Sequence, residues 1–172
     1  GLLEKQNRLD DYLFGFEESD GYLSGTYARD KDGVNGSCLV CEMYAYYKNL
    51  NISLQDKLKE IYEKYGKYTN NLLSFEFPGA SGFEKMNKLM QDLRNKPLTE
   101  IAGRKVIKCN DYLKGIDNLP SSDVLKYFLD DSSTLVIRPS GTEPKIKAYI
   151  SSVSDDGKSI IEFVQDLINE QA

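Results

Sequence analysis

Arg138-Pro139-Ser140-Gly141-Thr142-Glu143-Pro144-Lys145 is the stretch around which this chain is organised. Ser133 to Ile137 runs into it as a short β-branched segment. Beyond it, Ile146, Ala148 and Ile150 alternate with Lys147, Tyr149 and Ser151, the period-2 pattern of a half-buried strand. Two strands therefore enter and leave a loop that carries a guanidinium, two hydroxyls, a glycine and an ammonium. Such a set can cradle an anion. Arg138 offers forked donors that match phosphate oxygens, Ser140 and Thr142 offer hydroxyls, and Gly141 lets backbone N–H groups turn inward, with Lys145 at the exit. Pro139 and Pro144 stiffen the loop, so less order has to be imposed when a ligand arrives. On composition alone, a polar hairpin turn with charged neighbours remains the alternative.

The chain has 172 residues, room for one domain or for a small domain plus part of another. Its 40% hydrophobic content supports a core, and 12 Tyr and 7 Phe with no Trp make that core partly amphipathic. A net charge of −5 argues against general nucleic-acid binding and requires a local positive pocket if an anion is to bind. Cys38-x-x-Cys41 invites a zinc or redox reading, but Cys109 is the only other cysteine and the chain has no His. A four-ligand zinc site of Cys and His cannot be assembled from that set, and Leu39, Val40 and Met43 suggest buried small hydrophobes on a helix instead. No apolar run approaches a membrane span and no signal peptide is visible, so the expectation is a cytoplasmic protein without a membrane partner.

From the start, residues 1–11 are polar and open abruptly, as at a cut within a longer polypeptide. Residues 12–16 read as a strand feeding an acidic loop, Glu17-Glu18-Ser19-Asp20-Gly21. Arg29-Asp30-Lys31-Asp32-Gly33 is a second charged turn. Residues 34–50 are apolar almost all round between Cys38 and Tyr47, which predicts a well-buried helix. Ser53 and Asp56 form a capping pair for a helix that Gly66 stops. The polar run 67–71 is taken as the boundary between a first domain, 1–66, and a second, 67–172. Residues 72–77 read as a strand, and Ser81 opens a capping box for a helix with a Phe83, Met86, Leu89, Met90, Leu93 stripe. Then come a strand over 105–112, a loop over 115–120, a short helix over 122–129, and the Arg138 hairpin. A last helix carries Ile160, Ile161, Phe163, Val164, Leu167 and Ile168 behind Asp155 and Asp156. The second half is thus α+β: an antiparallel sheet with two helices packed on one face. The first half reads as the end of an α/β domain, too small to be comfortable alone.

Glu17, Glu18 and Ser19 form the second cluster of interest. Adjacent carboxylates point to opposite faces of a strand, so they do not make an acid/base couple. One carboxylate with one hydroxyl suits bidentate hydrogen bonding to sugar hydroxyls, while a solvated acidic turn is the plain alternative.

Both stretches resemble the α-D-phosphohexomutases, the phosphoglucomutase/phosphomannomutase superfamily. Arg138 to Pro144 is similar to the family's R-P-S-G-T-E-P phosphate-binding loop, and Gly15 to Ser19 with Gly21-Tyr22 to its sugar-binding loop. The resemblance implies that Glu17 and Ser19 contact sugar hydroxyls. Arg138, Ser140, Gly141, Thr142 and Lys145 would then hold phosphate, with Lys31 facing the cleft. It covers nearly the whole chain, as the end of domain 3 and the complete, TATA-box-binding-protein-like domain 4 of a four-domain enzyme, closest to the bacterial phosphoglucomutase branch. Such enzymes interconvert glucose 1-phosphate and glucose 6-phosphate through a phosphoserine and a bisphosphorylated intermediate, glucose 1,6-bisphosphate, with Mg2+ bound. The serine loop (T-A-S-H-N type) and the metal loop (D-G-D-x-D type) do not occur here. The expectation is therefore a substrate-recognition fragment, without catalytic or metal residues of its own. It would bind a phosphosugar and act together with the missing N-terminal domains of the same polypeptide. Phosphomannomutase, phosphoglucosamine mutase or a free-standing phosphosugar-binding module are the alternatives.

Overall fold

The alternation that flanks the Arg138 loop becomes two neighbouring strands in the computed structural model, which describes residues 1–17, 21–116, 118–153 and 155–170. The chain divides into two compact units, Gly1–Tyr65 and Gly66–Ala172.

In the first unit, a short helix α1 (Leu2–Lys5) and a single 3-10 turn (Leu9–Asp11) precede β1 (Phe14–Glu17) and β2 (Gly21–Ser24). These two strands pair antiparallel, Gly15 opposite Leu23 and Glu17 opposite Gly21. Helix α2 (Gly33–Asn49) starts at Asp32, whose carboxylate accepts the Val34 N–H at 2.8 Å. Helix α3 (Leu54–Tyr65) starts on the expected Ser53–Asp56 pair: the Ser53 hydroxyl accepts the Asp56 N–H at 3.0 Å and donates to its carboxylate at 2.6 Å. Gly66, at φ +85°, ends it in the left-handed conformation that glycine tolerates best.

The burial expected for α2 is not found. Gly36 is its only buried residue, and Val34, Val40 and Tyr46 are exposed. Cys38 and Cys41 are likewise free and exposed rather than core thiols. A helix that is apolar all round needs cover on every side, and the two-stranded hairpin beside it is too small to give that.

In the second unit, β3 (Thr69–Glu76), α4 (Gly82–Asn95), β4 (Glu100–Ile101), β5 (Arg104–Asp111), β6 (Leu125–Leu129), β7 (Thr134–Pro139), β8 (Lys145–Ser152) and α5 (Lys158–Asn169) follow in order. The strands form one six-stranded sheet, ordered β3-β8-β7-β6-β5-β4, and every pairing is antiparallel. One face is the core. Leu125, Tyr127, Leu129, Leu135, Ile137, Ile146, Ala148 and Ile150 lie there against Met86, Leu89, Met90 and Leu93 of α4 and Ile160, Val164 and Ile168 of α5. This is the expected α+β arrangement, with both helices on one face.

Four local expectations change. Residues 122–129 do not form a helix: 125–129 is an interior strand, because Leu125, Tyr127 and Leu129 alternate into the core. The polar run 67–71 is not wholly a linker, since Thr69, Asn70 and Asn71 pair with Ser152, Ser151 and Ile150. Ser81 caps α4 without a side-chain hydrogen bond. Phe83, 44% exposed, stands outside the buried stripe of that helix.

Candidate functional site

The loop 140–144 is a tight connection across β7 and β8. The Ser140 N–H donates to the Lys145 carbonyl at 2.7 Å, closing its base. Pro139, buried and opposite Ile146, ends β7 where its missing N–H costs the ladder little. The Ser140 hydroxyl accepts the Thr142 and Glu143 N–H groups at 3.4 and 3.3 Å, an internal turn in which two backbone donors converge on one oxygen. The far limb is pinned from outside. The Pro144 carbonyl accepts the Phe77 N–H at 2.8 Å, and the Pro144 ring lies against Gly82 at the start of α4. A Cβ added to Gly82 would stand 2.0 Å from the Phe77 carbonyl oxygen, so only glycine lets the helix approach this closely.

The charges around the loop fall into two groups. Lys145 is held by carboxylates: its Nζ lies 3.3 Å from Glu76 and 3.5 Å from Glu143. The Glu76 hydrogen bond first, then the field of Glu143, raise its pKa above the ordinary lysine value. Arg138 is different. It is exposed, and no side-chain hydrogen bond or ion pair forms on it among the described residues. Its cross-strand neighbour is Lys147, also exposed and without an acidic partner among the described residues. Like charges directly opposite one another on adjacent strands are destabilising. An anion between the two would relieve that repulsion, so Lys147 joins the candidates. The readable signal was its parity: Lys147 lies on the solvent face, on which Arg138 also sits. Gly141 and Thr142 are exposed at the loop tip, with open space around Gly141 and no positive φ there. Glycine is therefore not demanded by this loop's own backbone; what it leaves is room.

The other expected site lies on the β1–β2 hairpin. Glu17 ends β1, while Glu18, Ser19 and Asp20 lie outside the described residues. The Lys31 stem crosses Gly21 so closely that a Cβ there would stand 2.3 Å from Lys31 Cδ. Tyr12, Gly15, Phe16, Gly21, Arg29 and Lys31 line one hollow beside the hairpin. Tyr12 was not singled out from the sequence.

A six-stranded antiparallel sheet backed by two helices, with a basic Ser/Thr hairpin between two of its strands, and a separate unit with a two-stranded hairpin and two longer helices, define an α+β class of architecture. Residues 2–65 match the domain described as phosphoglucomutase/phosphomannomutase, alpha/beta/alpha domain III, and residues 75–161 match phosphoglucomutase/phosphomannomutase, C-terminal domain. The chain belongs to the phosphoglucomutase/phosphomannomutase family. It is 36% identical over 164 residues to a phosphoglucomutase of Staphylococcus aureus (strain USA300), a match that covers 87% of this chain and 30% of that protein. A phosphoglucomutase of Staphylococcus epidermidis is 34% identical over 168 residues, covering 91% of this chain and 31% of the relative. The chain thus spans about a third of the length of these relatives. Among solved structures, pp63/parafusin of Paramecium, a phosphoglucomutase in its open form, shares the fold with a TM-score of 0.67 at 17% identity, over 98% of this chain and 31% of that one.

Proposed function

We propose that this chain is the sugar- and phosphate-recognition portion of a phosphoglucomutase-type isomerase. It would act within a longer polypeptide that interconverts glucose 1-phosphate and glucose 6-phosphate. The observation that carries this reading is the Ser140–Pro144 loop, pinned at both limbs, with Arg138 opposite Lys147 beside it and no carboxylate paired to either among the described residues. Phosphoryl transfer depends mostly on positioning and electrostatic stabilisation, so a domain that only grips substrate is still part of catalysis.

The roles divide by chemistry. Arg138 and Lys147 supply positive charge to the phosphate that is not reacting. Ser140 and Thr142 supply hydroxyls, and the Thr142 and Glu143 N–H groups are released to the ligand when the Ser140 hydroxyl turns away. Lys145, already bridged to two carboxylates, acts by holding the base of the loop. Glu17 and Ser19 bind sugar hydroxyls, and Lys31, whose stem crosses Gly21, faces the substrate. A loop that grasps phosphate rather than sugar accepts the substrate in either orientation, as an exchange of phosphate between two ends of a hexose requires. Phosphate binding also favours closure and the exclusion of water.

The resemblance to the family implies magnesium in the full-length enzyme. No group of three or more His, Cys, Asp or Glu side chains among the described residues could hold a metal ion. The described residues do not fit that cofactor, and in this proposal its ligands and the phosphoserine lie elsewhere in the polypeptide.

Steady-state kinetics test the reading. The full-length protein should convert glucose 1-phosphate to glucose 6-phosphate, and this chain alone, given magnesium and glucose 1,6-bisphosphate, should not. Turnover by the purified chain would overturn the division of labour. A full-length protein that acts on mannose 1-phosphate or glucosamine 1-phosphate but ignores the glucose ester would overturn the hexose assignment.

A further inference from the structure

The β1–β2 hairpin is only two strands of four residues each, and a ribbon of that size has little stability of its own. Asn35 of α2 ties its end through Ser24, and three further side chains at the hairpin each lie on a glycine. The Tyr22 ring covers Gly36 of α2, where an added Cβ would stand 2.7 Å from the ring. The Lys31 stem covers Gly21, at the start of β2. Tyr12 covers Gly15, inside β1, and goes further: its hydroxyl donates to the Leu23 carbonyl at 3.1 Å, and Leu23 is the residue directly opposite Gly15. One side chain thus grips both strands at the same rung. That rung lies two residues from the Glu17–Gly21 pair from which the sugar loop departs.

We propose that Tyr12 is a positioning residue of the sugar-recognition hairpin, fixing the pairing of β1 with β2 from which Glu17 is presented to the sugar. The inference rests on the proposed function for its ligand but not for its geometry. Tyr12 touches no reacting atom in this account. Its phenol is a strut, and the glycine beneath it leaves room for the hydroxyl. A Cβ at Gly15 would stand 2.6 Å from the Tyr12 oxygen but 3.7 Å from the next ring atom, an ordinary contact. Gly15 has no positive φ, so alanine there is opposed by the Tyr12 hydroxyl and not by the backbone.

That asymmetry gives a test in two parts, both on the chain described here. The first is a double-variant cycle read by amide hydrogen exchange. Tyr12→Phe should raise exchange at the β1–β2 amides by on the order of threefold to tenfold, the range expected for one net hydrogen bond, and leave β7 and β8 untouched. Gly15→Ala should loosen the hairpin more in the native background than in Tyr12→Phe, because the clashing oxygen is then gone. The second part is binding of glucose 6-phosphate and of inorganic phosphate. Tyr12→Phe should weaken the sugar phosphate by about threefold to tenfold and leave inorganic phosphate unchanged, since the phosphate loop belongs to the other unit. Additive Gly15→Ala and Tyr12→Phe effects, or unchanged exchange, would overturn the strut. A loosened hairpin with unaltered glucose 6-phosphate affinity, or equal losses for both ligands, would overturn the positioning role. If the native chain binds inorganic phosphate but no sugar phosphate, the role of Tyr12 falls together with the sugar half of the proposed function, while the exchange cycle still decides the strut.

Discussion

Arg138 sits on the solvent side of a strand end, opposite another cation, with its guanidinium unclaimed among the described residues. A side chain placed so contributes little to stability and is available to a ligand. Replacing it with alanine in the full-length protein should therefore cost on the order of 1.5–3 kcal/mol of transition-state stabilisation, roughly tenfold to a hundredfold in kcat/KM, for the 1-phosphate and the 6-phosphate alike. Arg138→Lys should not restore it, because a point charge cannot reproduce a planar fork. The melting temperature should barely move. A kcat/KM within about twofold of the native value, under half a kcal/mol, would remove Arg138 from the site. At this scale the loop's residue types and their order suggest the phosphate chemistry that the proposal takes up. What could not be read was the pairing state. Lys145 lies in the same run as Arg138, yet Glu76, nearly seventy positions away in sequence, claims it through the β3–β8 register.

Elements were legible where a period is sustained and obscure where a segment is short. The stripes of α4 and α5 emerge as core, and the alternation after the loop emerges as β8. β6 was missed because its five residues are apolar or long-chained on both faces. Phe128 lies on the outer face under the ammonium groups of Lys108 and Lys126, at 5.6 and 5.0 Å, which fills the polar positions that would have revealed a strand. The turn after it depends on Asp131, which accepts the Ser133 N–H at 2.8 Å and Arg104 Nε at 2.6 Å, while Arg104 also donates to Ser159. This joins β5, the β6–β7 turn and the start of α5. Burial works to raise the Asp131 pKa, but the Ser133 N–H and Arg104 outweigh it and hold the carboxyl below its usual value of 3.8. A depressed carboxylate adds stability that is fully present above the unfolded-state value and lost as pH falls through the folded one. Thermal melts should thus show a fall in stability below about pH 4 that is smaller in Asp131→Asn, with that variant weaker by on the order of 1–2 kcal/mol at pH 7. Equal acid sensitivity in both proteins would contradict the role given to Asp131.

At the scale of the molecule, the two units meet in sequence at Tyr65 and Gly66, and β3 begins at Thr69. The ordered pairing of Thr69 to Asn71 with β8 leaves a narrower connection than the polar composition implied. Limited trypsin digestion should cut first at Lys64 or Lys67 and release a folded piece that holds the whole six-stranded sheet. Early cutting inside 34–50 would show that α2 is the weaker point. The exposure of α2 was hidden from the sequence for a reason that operates at this scale. An apolar helix announces that it will be covered, but not whether the covering surface lies within the same stretch of chain, and this chain spans about a third of the relatives it matches.

The central claim is that the β7–β8 loop receives phosphate, and an NMR titration of the isotope-labelled chain with inorganic phosphate tests it most directly. Saturable shifts of the Ser140, Gly141, Thr142 and Glu143 amides and of the Arg138 side chain are expected, with the β1–β2 amides unmoved. Arg138→Ala should weaken that saturation by roughly tenfold or more. Shifts confined to the first unit, or a loop response that survives Arg138→Ala undiminished, would contradict it.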